Sequence, residues 1–150
     1  MGYREKALGV YNAALQQALE FRKEGQEVAM TFFLVLPNGE KTVLVPAAML
    51  PTTDKDELVG IVRALATRVG ARYVIHVSEA WMSAMNTEGD GAPSEQPDRQ
   101  EVILASVDGP GLRRMTLVPI LPNGGGFGEP TVTDSFGGRM TDFTGNADYH

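Results

Sequence analysis

The chain opens on an amphipathic stretch. Ala7, Leu8, Tyr11, Ala14, Leu15, Ala18 and Leu19 recur at helical spacing, while Arg4, Glu5, Asn12, Gln16, Gln17, Glu20 and Lys23 fall mostly elsewhere. The spacing predicts a helix over 3–23, with Gly25 as its stop. The period then changes. In residues 27–36 Val28, Met30, Phe32, Leu34 and Leu36 alternate on one face, and Ala29, Phe33 and Val35 keep the other face apolar too. Such a strand is expected to be central and covered on both sides. Pro37-Asn38-Gly39 is a turn signal, and residues 41–46 are expected to pair back as a hairpin.

A second helix is expected over 54–69, buried through Leu58, Ile61, Val62, Leu65, Ala66 and Val69 and closed by Gly70. Thr53 or Asp54 would cap it, each with an acid three residues on. Residues 72–77, 101–107 and 112–120 read as three more strands, with a turn at Asp108–Gly111 and with Pro119 marking an edge or a strand end. The order α-β-β-α-β-β-β predicts an α+β fold: a mainly antiparallel sheet with both helices on one face. Residues 1–121 are expected to form one domain. Residues 122–150, Gly-rich and without helical or strand period, are expected to form an extended tail.

Composition narrows the function classes. The 150 residues include no Cys, which excludes disulfide scaffolds, thiolate metal sites and cysteine nucleophiles. The net charge of −6 is unevenly placed: residues 86–100 and 121–150 each carry −3, and the remainder balances. No basic stripe exists to neutralise phosphates, so a duplex nucleic-acid partner is not expected. No apolar run approaches the ~20 residues of a membrane span, and the N-terminus lacks a signal-peptide pattern. The expected setting is cytoplasmic, without a membrane partner.

No complete catalytic signature is present. Ser78, Ser83, Ser94, Ser106 and Ser135 lack a G-x-S-x-G elbow, and GGGFG at 124–128 lacks the Lys and the following helix of a phosphate loop. His76 is the one internal His; it is either a general base oriented by Glu79 or Asp98, or a packed sheet residue. Acidic residues at 79–101 offer oxygen ligands for a hard cation, or simply solvate a long loop. No cofactor is expected. The rings of Phe127, Phe136, Phe143 and Tyr149, spread along the last 28 polar residues, suit an arm anchored on a neighbouring subunit.

Two segments carry a family pattern. Val77-Ser78-Glu79-Ala80-Trp81 ends one predicted strand, and Pro93-Ser94-Glu95-Gln96-Pro97-Asp98-Arg99-Gln100-Glu101-Val102 leads into the next. A strand-end SEAW followed by a P-S-E-x-P-D-R-x-E loop resembles a group of small uncharacterised bacterial and phage proteins, over residues 70–107. The resemblance implies a phage or mobile-element accessory role and assigns no activity. Read physically, Glu79 leaves one strand where Glu101 enters the next, so Arg99 is expected to bridge them while Trp81 packs under the loop.

Two functions follow as expectations. The first is a non-enzymatic, self-associating accessory protein, a homo-oligomer that contacts a protein partner or small polar ligand through loop 86–100 or the tail. Its binding residues would be Glu79, Trp81, Asp98, Arg99, Glu101 and His76. The second is a small metal-dependent hydrolase using the Glu79/Asp98/Arg99/Glu101 cluster with His76.

Overall fold

The computed structural model of the protein describes residues 2–37, 41–83, 99–122 and 125–134. In chain order these form α1 (Tyr3–Lys23), β1 (Thr31–Val35), β2 (Thr42–Pro46), a short 3-10 turn (Ala47–Met49), α2 (Lys55–Val69), β3 (Tyr73–Ser83), β4 (Arg99–Gly109), β5 (Leu112–Pro119) and β6 (Thr131–Thr133). The strands make one six-stranded antiparallel sheet in the order β2-β1-β3-β4-β5-β6. The fold class is α+β, as the patterning predicts.

Both helices have legible ends. Asp54 caps α2 by accepting a 3.0 Å hydrogen bond from the Glu57 amide. Gly70 then closes it at φ +78°, a conformation that costs glycine little. The second turn signal also holds. β4 and β5 pair up to Gly109↔Leu112, and Gly111, at φ +68°, supplies the positive φ that a Pro-Gly turn requires.

The helices lie on opposite faces of the sheet, which corrects the expectation of one shared face. Successive strand residues point to opposite sides. Ala7, Tyr11, Ala14 and Ala18 of α1 pack with Val35, Ile75, Val77, Ile103, Ala105 and Val107. Val59, Val62 and Ala66 of α2 pack with Phe32, Leu34 and Val74, which alternate with that set. The apolar character of both faces of β1 is the physical reason: one layer of helices would leave Phe32 and Leu34, now 0% and 1% exposed, in water. The α2 stripe is also turned slightly from the expected one, since Val59 is buried while Val69 is 40% exposed.

Strand lengths depart from the pattern in both directions. β1 starts at Thr31 rather than at 27, because the Val28 amide is given to the Glu79 carboxylate (3.0 Å) instead of to a strand. β3 and β4 outrun their apolar cores and pair through Ser83↔Arg99. Their extra residues are largely polar and give no clear alternation. The region read as an extended tail contributes to the sheet: Ile120 bridges Phe127, and Thr131–Thr133 pairs with Leu117–Met115. Residues 135–150, including the expected anchoring rings Phe136, Phe143 and Tyr149, lie outside the described residues.

α1 is pegged along its length. The Tyr3 hydroxyl donates to the Val35 carbonyl (2.6 Å) and accepts from the Arg72 amide (2.7 Å). The Tyr11 hydroxyl hydrogen-bonds Thr116 of β5. Burial holds both phenols above the ordinary tyrosine value of 10.0. The fold therefore prefers them neutral; their contribution is intact below about pH 10 and is lost as pH rises through the raised values. In alkaline denaturation Tyr11→Phe should show a shallower loss of stability above pH 10 than the wild type. It should also carry a constant deficit of ~1 kcal/mol at neutral pH from the lost hydrogen bond.

Gly109 is required by close packing. A Cβ there would lie 2.3 Å from the Tyr73 ring and 2.5 Å from the Arg72 carbonyl oxygen. The ring is itself held by its hydroxyl, which donates to the Pro110 carbonyl (3.0 Å). Gly109→Ala should therefore destabilise by ~1–3 kcal/mol in urea unfolding. Gly60→Ala, whose Cβ meets nothing within 4 Å, should not destabilise.

Candidate functional site

The sheet register brings part of the predicted cluster together. Trp81 pairs with Glu101 and Glu79 with Ile103, so Glu79 and Glu101 stand one diagonal step apart on neighbouring strands. Both belong to the face that carries α1. Arg22 of α1 lies between them; the side chain of Arg99, expected there, lies outside what the structure describes. Arg22 Nη1 donates to Glu79 Oε1 (3.0 Å) and Nη2 to Glu101 Oε1 (2.9 Å). The same Glu79 oxygen accepts from the Val28 amide. One guanidinium fork thus spans two carboxylates, a geometry that an ammonium cannot reproduce.

The pattern of burial decides what this triad is worth. The side chains of Arg22, Glu79 and Glu101 are 30%, 15% and 26% exposed. This is too buried for a fully screened surface pair and too wet for the desolvation cost of a dry interior pair. The arrangement is a clasp. It ties the last turn of α1 to the base of the β3–β4 hairpin and orders the approach to β1 through Val28.

Beside the clasp lies a cavity of about 720 Å³, lined among others by Arg22, Trp81, Gln100, Glu101, Leu121 and Phe127. Its far wall is the turn after β5. The Ile120 amide donates to the Glu101 carbonyl (2.8 Å), and Leu121 donates to the Gly126 carbonyl (2.9 Å). Gln100 Nε2 donates to the Ile120 carbonyl (2.9 Å), which locks that turn to the start of β4. Trp81 is 43% exposed.

No protein-family model, curated protein or solved structure matches this chain.

The other predicted residues separate. His76 is on the opposite face, 2% exposed, paired with Phe32 and with Ser106. Its ring stacks on Phe32 at 5.2 Å between centroids. Asp98 lies outside the described residues, as do the rest of 84–98; Arg99 is described only as the first backbone residue of β4. Among the described residues no three His, Asp or Glu side chains gather as a metal-binding set.

Two features escaped sequence reasoning. Arg22 carries only the signal of a basic residue in a last helical turn, and its partners are 57 and 79 residues away. The second is a polar floor on the His76 face, where Ser78, Ser106 and Asp108 are buried and Arg113 Nε stands 3.8 Å from Asp108. Asp108 reads in sequence as the first residue of a turn; it is the penultimate residue of β4.

The clasp yields a stability prediction. Arg22→Ala leaves two partly buried carboxylates facing each other, and should lower stability by ~1–3 kcal/mol in urea unfolding. Arg22→Lys should recover less than half, because one ammonium cannot hold both oxygens in the fork geometry. Glu101→Gln in the Arg22→Ala background should cost less than in the wild type, the signature of direct coupling.

Proposed function

We propose that this protein is a non-enzymatic, self-associating accessory module of bacterial or phage origin. Its partner contacts run through loop 86–100 or the C-terminal tail, residues 122–150. The observation that carries the reading is the engagement of one oxygen each of Glu79 and Glu101 by Arg22. Carboxylates that serve as bases or metal ligands need a lone pair directed at substrate or ion. Here one oxygen of each is committed to holding α1, and the Glu79 oxygen also holds Val28.

The clasp has a use in a binding module. Residues 84–98 leave β3 and enter β4 at a base that α1 fixes in place, and the 86–100 stretch has a net charge of −3. A charged connection presented from a fixed base favours a basic protein surface as partner. The cavity beside Trp81 and Glu101 suits a small polar ligand as an accessory contact. The hydrolase alternative needs His76 beside Glu79 and Glu101, and the pleat puts it across the sheet from them.

Native mass spectrometry of the full chain taken gently from cell lysate tests this reading. The expected species is a clean multiple of 16.2 kDa with no added small mass. A metal ion or small molecule that is retained by the wild type and lost in Glu79→Gln or Glu101→Gln would overturn it in favour of a ligand-using site.

A further inference from the structure

We infer that self-association joins two copies edge to edge through β2, making one twelve-stranded sheet across a two-fold axis. This deepens the self-association proposed above and rests on it.

β2 ends the sheet among the described residues. Its ladder to β1 can be phased from the bonds that flank it. Leu36 donates to the Lys41 carbonyl (3.2 Å) and Ala47 to the Met30 carbonyl (3.0 Å). Hydrogen-bonded pairs alternate along an antiparallel ladder, so Val43 and Val45 direct their backbone groups at β1. Thr42, Leu44 and Pro46 direct theirs outward. The outward row thus offers amides from Thr42 and Leu44 and carbonyls from all three.

That row is self-complementary. With Leu44 opposite Leu44 of a second copy, the two leucines exchange both of their bonds. Each Thr42 amide meets the Pro46 carbonyl of the other copy. Every outward donor is used, and Pro46 is asked only to accept, which is all it can do. A register one step shorter, with Thr42 opposite Leu44, makes as many bonds but leaves the Pro46 carbonyls unused. It also sets each leucine against a threonine.

The side chains select the Leu44-centred register. Leu44 is 56% exposed, on the α1 face, paired directly with Phe33 of β1. Phe21, 40% exposed, continues the strip toward α1. These residues line a mainly apolar groove of about 350 Å³ with Ala18, Val28 and Val77, in which Glu27 is the one charged lining residue. Pairing Leu44 with its copy joins two such strips into one. Charge does not oppose the contact. Residues 42–46 carry no charged side chain, and each Lys41 would face position 47 of the other copy. The two lysines then stand about 20 Å apart, six residues of strand, beyond the ~8–10 Å screening length.

Sedimentation of the full chain at several concentrations tests this with Leu44→Lys, which places two like charges on the dyad, and Thr42→Pro, which deletes an outward amide. The backbone groups of both positions point away from the β1 ladder, so both variants should keep the wild-type far-UV circular dichroism spectrum and a cooperative melt, lowered by no more than the lost association. The expected result is a wild type at twice 16.2 kDa and both variants shifted toward 16.2 kDa, with dimer Kd raised at least tenfold. A wild type larger than 16.2 kDa whose mass neither folded variant changes would overturn the β2 interface and leave self-association standing. A wild type at 16.2 kDa at every concentration would overturn both.

Discussion

Two carboxylates held one diagonal step apart on adjacent strands repel each other unless a cation lies between them. In this fold that constraint is met by Arg22 at the end of α1. The consequences spread outward from it. α1 must run alongside β3, with Tyr3 at the Arg72 amide and Arg22 at Glu79. From Tyr3 to Arg22 the helix rises about 28 Å. From Arg72 to Glu79 the strand rises about 23 Å. The helix is therefore long enough to reach from one end of the contact to the other. Its buried stripe of Ala7, Ala14 and Ala18 lets it sit close enough for short hydrogen bonds at each end. The Val28 amide completes the arrangement and decides where β1 begins.

The same geometry explains why His76 does not join Glu79 and Glu101. A strand sends alternate residues to opposite faces, and His76 differs from Glu79 by three. Residues 76 and 79 therefore cannot share a face of an unbulged β3, and the β3–β4 register is continuous from Val74 to Ser83. What converges instead is a charged clasp on one face, and an aromatic stack of His76 on Phe32 on the other. One side of the sheet spends its polar groups on holding a helix. The other buries them in the floor between strands.

Local features were legible in the sequence to within a residue or two. The α1 limits, the Asp54 cap, the Gly70 stop and the Pro-Gly turn each depend on a few neighbouring residues. The order of the elements through β5 was legible for the same reason. The side of the sheet taken by each helix was encoded less directly, in the fact that Phe32 and Leu34 are as apolar as Phe33 and Val35. Two apolar faces on β1 call for two covering layers, and that clue conflicts with a one-sided helix layer. Arg22 was not legible: any Arg within reach would suit the two glutamates, and nothing local ranks Arg22 above Arg99. β6 was not legible because three residues, Thr131–Thr133, carry no period.

The buried polar floor makes sense as a register device rather than as a source of stability. Burying Asp108 at 0% exposure with Arg113 Nε at 3.8 Å offers no large net gain, since desolvation offsets attraction. Its value lies in what a slip would cost. The β4–β5 hairpin pairs Asp108 with Arg113 and Ser106 with Met115, and it places Val107 and Ala105 under α1. Moving one strand by a single residue would turn its side chains to the other face. Asp108 would then point into the apolar core built by Tyr11, Ile75 and Val118, away from Arg113. The turn contributes to the same choice, because Gly111 alone in that turn holds the positive φ and Gly109 alone fits against Tyr73. An acid, a base and two glycines within six residues thereby fix the hairpin that carries the entry to β5. Through the Ile120–Glu101 hydrogen bond, they also fix the wall of the cavity beside the clasp.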